Sequence, residues 1–234
     1  MAQSIAIDAL LKKLEYSFVD IALLDEALTH RSYASINNER LEFLGDSILN
    51  FVIAHELFKL YPNVQEGDLS RLRANLVDKD SLAEIANKLN LGDVIKLGSG
   101  ELKSGGFRRP SILADAVESI IGSVYCDGGF PPARDLIVRL YAQRLATPPD
   151  LESLKDPKTR LQELLQSRHF ALPDYQVVNI SGQAHAQIFH VNCVINKMNI
   201  EVSSKGKSRR KAEQIAADKA IAQVEIFYGR LKNG

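Results

Sequence analysis

The sequence predicts a multidomain protein in which an all-α domain over residues 1–146 precedes an α-β-β-β-α domain over residues 155–226. Three observations carry this division. Apolar residues recur at helical spacing almost without interruption up to residue 145. Between residues 175 and 203 the apolar period drops to two, the period of strands with one covered face. Between these regimes stands Ala146-Thr147-Pro148-Pro149-Asp150, poor in apolar residues and unable to continue a helix, within an expected linker of residues 147–154.

The first residues, MAQSIAIDALLKKLEYSF, place Asp8 and Glu15 close to the start and read as an amphipathic helix, not a signal peptide. Helical spacing then runs through residues 48–60, 69–76, 82–91 and 112–124. Tyr61-Pro62-Asn63, Gly98-Ser99-Gly100 and Gly128-Gly129 supply the breaks. Ser111, following Pro110, is the expected cap of a helix over residues 111–126. In the second domain Asp156 is an N-cap with Pro157 at the first helical position, opening a helix to about Ser167. Phe189, Val191, Cys193 and Ile195 then alternate with Ile188, His190, Asn192 and Val194. Turns fall at Ser181-Gly182-Gln183 and Asn196-Lys197. A last helix sets Ala212, Ile215, Ala216 and Ala220 on one side, and residues 227–234 form a tail. Both helices of this domain are available to cover the apolar face of its sheet.

The chain of 234 residues holds 29 Lys+Arg and 29 Asp+Glu. This neutrality alone argues against a nucleic-acid partner, but it conceals an asymmetry. Residues 1–150 carry 16 basic and 21 acidic side chains, and residues 151–234 carry 13 and 8. A net −5 region joined to a net +5 region points to a polyanionic partner. Cys126 and Cys193 lie in different halves and form no Cys-x-x-Cys, which favours a reducing compartment. No apolar run approaches the roughly 20 residues of a membrane span. A soluble, cytoplasmic protein without a membrane partner is expected.

Glu39, Glu42 and Asp46 fall at i, i+3 and i+7, on one face of a helix. An acidic face is ordinarily solvated. Here the same face continues through Leu49 and Ile53, while Leu41, Leu44, Ile48 and Val52 occupy the opposite one and Phe43 and Phe51 the flanks. A helix apolar nearly all round is expected to be buried, with its acids at interior positions. Asp115 and Glu118 repeat the pattern on a helix whose same face carries Ser111, Ser119 and Gly122, small enough for another helix to approach closely. Burying several unpaired carboxylates together is prohibitive without a cation. A donor set of oxygens alone selects a hard divalent ion, Mg²⁺ or Mn²⁺, and phosphoryl-transfer hydrolysis is the chemistry that such sites serve. No His or Cys accompanies these acids, which argues against zinc, and Glu-x-x-His pairs of a di-iron bundle are absent. His30 and His55 read as structural.

Residues 38–47, NERLEFLGDS, resemble the signature of the ribonuclease III family. Thr29-His30-Arg31-Ser32, Glu66-Gly67-Asp68-Leu69-Ser70 and Leu113-Ala114-Asp115-Ala116-Val117-Glu118 extend the resemblance over residues 5–145. It implies an all-α endonuclease domain, homodimeric, that cuts double-stranded RNA and leaves 5′-phosphate and 3′-hydroxyl ends, with ribosomal RNA precursors and other structured RNAs as substrates. Carried over, Glu42, Asp115 and Glu118 are Mg²⁺ ligands, with Mn²⁺ able to substitute. Asp46 completes the acidic cluster, and Asp46 and Glu118 are the residues whose loss abolishes turnover. Glu39 and Glu66 match supporting acidic positions that act through RNA or outer-sphere contacts. Phe43 has an ordinary packing reading, beside which the family implies a dimer-interface plug.

Lys205-Gly206-Lys207-Ser208-Arg209-Arg210-Lys211 places five cations at the start of the last helix. Such a run is ordinarily a solvated face, yet cations at a helix N-terminus are unfavourable unless an anion is bound there, and helix N-termini bind phosphates. With the α-β-β-β-α order, this segment resembles the double-stranded RNA-binding domain. The resemblance implies a minor-groove face of Thr159, Gln162, Glu163 and Gln166, and a turn, Gly182-Gln183-Ala184-His185, whose His185 enters the next minor groove. Lys205, Lys207, Ser208, Arg209, Arg210 and Lys211 form the phosphate clamp. Glu213 departs from the pattern, standing where the family often has a further Lys, and is expected to weaken phosphate binding slightly. A catalytically silent RNA-binding protein is the rival reading, and the retention of Glu42, Asp46, Asp115 and Glu118 argues against it. A phosphohydrolase of small nucleotides leaves the basic domain unexplained.

Overall fold

The computed structural model describes residues 2–147, 149–150, 154–183 and 186–232. Its contacts divide it into two compact units, one ending at Pro149 and the other starting at Asp150. The first is all helix: α1 (Ala2–Leu14), α2 (Ile21–Ala27), α3 (Glu39–Leu60), α4 (Glu66–Leu76), α5 (Lys79–Leu89), α6 (Ser99–Lys103), α7 (Pro110–Gly128) and α8 (Phe130–Ala146). Asp20 and Asp78 cap α2 and α5 through their side chains. The expected cap of α7 is displaced by two residues. Arg109 is the N-cap and Pro110 fills the first turn, where its missing N–H costs nothing, so Ser111 is already inside the helix.

Helix α7 is the centre of this unit, with Leu113, Val117, Ile120, Ile121 and Val124 buried among α2, α3, α5 and α8. Its closest neighbour is α3. A Cβ on Gly45 would stand 1.7 Å from the carbonyl oxygen of Glu118, and one on Gly122 would stand 2.2 Å from that of Leu41. The two helices therefore cross backbone on backbone. The hydroxyl of Ser119, buried in the same helix, donates to the carbonyl of Ala27 at 2.9 Å and ties in α2.

Helix α3 is not buried all round, as its sequence led us to expect. Leu49, Val52 and Ile53 are buried, but Phe43, Phe51 and Phe58 are 78%, 59% and 71% exposed. The apolar residues of α3 serve two surfaces, one inside the unit and one open. Of the three acids at its start, Glu39 and Asp46 are exposed and only Glu42 is half-buried.

The second unit comprises α9 (Pro157–Gln166), β1 (Asp174–Ser181), β2 (Ile188–Ile195), β3 (Ile200–Gly206) and α10 (Arg209–Lys232). The strands form an antiparallel sheet in the order β1-β2-β3, with Cys193 opposite both Tyr175 and Val202. Asp156 caps α9 by accepting from the backbone of Lys158 and Thr159. The core joins Leu161 and Leu165 of α9, Cys193, Ile195 and Val202 of the sheet, and Ala216, Ala217, Ala220 and Val224 of α10. Ile215 is only half-buried, and Ala217 and Ile221 complete the inner face instead. The helix does not stop at residue 226: it runs to Lys232, and Phe227 and Tyr228 pack on the core. His185 and Ala184 of the expected groove-entering turn lie outside the described residues, as do parts of the expected linker.

A methyl group at Gly45 has nowhere to go except by separating α3 from α7. Gly45→Ala is expected to lower stability by about 3 kcal/mol or more, at the severe end of overpacking, as read by urea denaturation. A drop below about 1 kcal/mol would mean that the helices are free to move apart.

Candidate functional site

The crossing of α3 and α7 decides where the acids meet. One carboxylate oxygen each from Glu42, Asp115 and Glu118 lies within 4.8 Å of the others, all three residues half-buried. Asp46 stands at the edge of this trio, exposed, its carboxylate accepting a hydrogen bond from Asn50 at 2.7 Å. The electrostatic cost is visible in the protonation equilibria. Burial, then the charges of Asp46, Glu42 and Asp115, push the Glu118 carboxyl up to about 8. Burial, then Asp115 and Glu39, raise Glu42, an effect that Arg31 partly opposes. Asp115 is raised by burial, against the pull of Lys79, His30 and Arg31.

No cation from this chain pairs directly with the trio among the described residues. A group of three half-buried oxygen donors, all raised in pKa first by burial, fits a hard divalent cation. The donor set offers neither His nor Cys, so it does not fit zinc.

Beside the trio opens a polar cavity of about 310 Å³, reached from Glu42 and Asp115 and walled by His30, Arg31, Asn38, Glu39, Arg109 and Ser111. Arg31 pairs with Glu39 at 3.2 Å and Arg109 with Glu101 at 2.7 Å. Asn38, almost fully buried, has an Nδ2 with no hydrogen-bond partner among the described residues. The loop carrying His30 and Arg31 is fixed by backbone bonds, Lys96 N–H to Leu28 and His30 N–H to Lys96. Arg31, Asn38, Glu101 and Arg109 were not singled out from the sequence. His30, read there as structural, bonds Ser32 but also lines this cavity. Glu66 is not part of this group; it lies in the first turn of α4 and accepts from Ser70 at 2.7 Å.

Phe43 projects beside a second, more apolar cavity of about 540 Å³ walled by Glu26, Arg40, Leu41, Leu44 and Cys126.

In the second unit the cations gather where β3 hands over to α10. A Cβ on Gly206 would meet the backbone nitrogen of Ala212 at 2.5 Å, so strand end and helix start touch. The hydroxyl of Ser204 donates to the carbonyl of Ala212, and that of Ser208 accepts from the backbone of Lys211. Lys205, Lys207, Arg209, Arg210 and Lys211 are all exposed around this junction. On α9, Gln162 and Gln166 are exposed, Thr159 is held by Asp156, and Glu163 accepts from Lys155. Glu213 is not a stray charge in the clamp: it is buried and bonded to both Lys158 and Arg209.

Comparison with known proteins matches the two units separately. Residues 20–145 match the family model described as ribonuclease-III-like, and residues 157–224 match the double-stranded RNA binding motif. The chain is 57% identical over 218 residues to ribonuclease 3 of Nitrosococcus oceani, covering 92% of this chain and 94% of that one. It is 54% identical over 220 residues to ribonuclease 3 of Thiobacillus denitrificans, covering 94% and 97%. Among solved structures, the ribonuclease III nuclease domain of Campylobacter jejuni, described for flexibility in its region of dimer formation, matches at 48% identity. The TM-score is 0.58, with 58% of this chain and 96% of that one covered.

The raised carboxyls give a pH dependence of defined sign. An unfolded Glu releases its proton near 4.3, whereas folded Glu118 keeps it to about 8. Between those values the folded state holds a proton that the unfolded state lacks, so stability falls as pH rises. The lowered carboxyls, Asp127, Asp156 and Glu213, lose their contribution only in acid and leave this window untouched. The melting temperature of metal-stripped protein is therefore expected to fall between about pH 5 and pH 8. Added Mg²⁺, which must displace that proton, is expected to raise it more at pH 8 than at pH 6. An upshift independent of pH would remove Glu118 from the ligand set.

Proposed function

The chain belongs to the ribonuclease III family, and on that premise we propose that it is a metal-dependent endoribonuclease that hydrolyses double-stranded RNA, leaving 5′-phosphate and 3′-hydroxyl ends. The observation that carries this reading is the trio Glu42, Asp115 and Glu118, its oxygens within 4.8 Å, on the same chain as an exposed basic helix start. Glu42, Asp115 and Glu118 hold Mg²⁺, for which Mn²⁺ substitutes. When bound, the cation supplies activation of water and neutralisation of charge on the reacting phosphate. Asp46, restrained by Asn50, adds the fourth carboxylate at the edge where water enters. Arg31, Arg109 and the Asn38 amide, which line the adjoining cavity, hold the phosphate oxygens of the cleaved strand. Glu39 and Glu66 assist through RNA or outer-sphere contacts.

The second unit delivers the substrate. Lys205, Lys207, Ser208, Arg209, Arg210 and Lys211 hold backbone phosphates, and Thr159, Gln162, Glu163 and Gln166 face the minor groove, joined by His185. Such domains read the shape of A-form RNA more than its sequence, which suits ribosomal precursors and other structured RNAs. The working form is a homodimer in which Phe43 enters the apolar cavity beside Leu41 and Leu44 of the partner, so that each subunit cuts one strand. The free Cys126 and Cys193 accord with a cytoplasmic location, and no helix among the described residues is long and apolar enough to cross a membrane.

Glu118→Ala is expected to slow cleavage of labelled duplex RNA by about a thousandfold or more while binding without metal is unchanged. Cleavage near the normal rate with Mg²⁺ would refute the assignment. Phe43→Ala is expected to weaken self-association by about 3–6 kcal/mol, since a two-fold dimer buries this large apolar side chain twice, as read by sedimentation. A wild-type chain that sediments as a monomer would overturn the dimer.

A further inference from the structure

The acid in the basic segment of α10 does not face solvent. Glu213 is 7% exposed, and its two oxygens are divided between Nζ of Lys158 on α9, at 2.6 Å, and Nε of Arg209 one turn back on α10, at 2.7 Å. Burial opposes the charged form, but the hydrogen bonds from Lys158 and Arg209 outweigh it and hold the carboxyl below the usual range. Next to it, Gln214 accepts from the backbone of Lys158 and donates to Asp156, the cap of α9. The Lys158 ammonium also lies 4.5 Å from the centre of the Tyr175 ring. The starts of α9 and α10 are thus fastened at one point. The concavity between them, about 520 Å³, is lined by Thr159 and Gln162 from one helix and Arg210 from the other.

By charge alone, a Glu among phosphate-binding cations is a defect, since it subtracts from the attraction. Geometry gives it the opposite sign. A guanidinium has five N–H donors, and Glu213 occupies the one at Nε, leaving the terminal amino groups of the largely exposed Arg209 free. An exposed Arg must give up rotamer freedom when it meets a phosphate, and a side chain already held in place gives up less.

We propose that Glu213 is a positioning residue for RNA binding, which orients Arg209 toward a backbone phosphate and fixes the starts of α9 and α10 at the spacing that lets both meet one duplex. This rests on the RNA-binding reading of the second unit. The test uses the full chain in EDTA, a labelled RNA duplex of about 25 base pairs, longer than the roughly 16 such a domain spans, and a series of salt concentrations. Glu213→Gln keeps the size and removes the charge; Glu213→Lys adds two units of positive charge over the wild type. Both are expected to bind about three- to tenfold more weakly at physiological salt, as for the net loss of one hydrogen bond of ordinary strength. In Glu213→Gln the slope of log affinity against log salt is expected to shrink by about one, as when one backbone phosphate is no longer neutralised by the protein. A purely structural role lowers the folded fraction, seen by circular dichroism, without moving that slope. Tighter binding by Glu213→Lys, or an unchanged slope in Glu213→Gln, would overturn the proposal. A wild-type chain that fails to bind duplex RNA would instead overturn the reading beneath it.

Discussion

The half-buried acidic trio of this chain depends on two helices touching through their backbones. At Gly45 and Gly122 the approach leaves no room for a methyl group, and this draws Glu42 of α3 against Asp115 and Glu118 of α7. Side chains of ordinary size at the crossing would hold helix axes some 8–10 Å apart, and the carboxylates would then stand too far apart to share one ion. The glycines cost helix propensity, about 1 kcal/mol each, and that cost is offset by the packing of Leu49, Ile53, Val117 and Ile121 around them.

The crossing also sets up a conflict. Packing that stabilises the unit forces like charges together, and the protein without metal answers by keeping a proton on Glu118. A cation bound by the trio would therefore couple stability and metal binding at one residue. The fold is strongest with Glu118 protonated, and a bound divalent cation would offset the charge that deprotonation leaves. The second unit resolves a smaller version of the same problem with its own residues, since Lys158 and Arg209 neutralise the buried Glu213.

What could be read from the sequence was whatever has a period. The spacing of Glu39, Glu42 and Asp46, the pair Asp115 and Glu118, and the alternation in β2 announce faces, and the faces are there. The cavity walls were not legible, because Arg31, Asn38 and Arg109 come from loops and helix starts, where position is fixed by tertiary hydrogen bonds. The expectation that α3 is buried all round fails at its flanks, where Phe43 and Phe51 are exposed, since an apolar side chain looks the same whether it meets its own core or another surface. Ser111 was a plausible cap until Pro110 took the first turn. Glu213 looked like a weakness because its partner Lys158 is remote in sequence, and charge counting cannot see a pair across two helices.

The order of the two sites along the chain has a consequence for synthesis. Domains form from the N-terminus as the chain emerges. The acidic trio needs only α3 and α7, which precede α9, the sheet and α10 along the chain. The basic junction needs β3 and the start of α10, and both need the rest of α10 for their core. In a chain still being translated the acidic trio can thus be in place before the junction at which the exposed cations of the second unit gather.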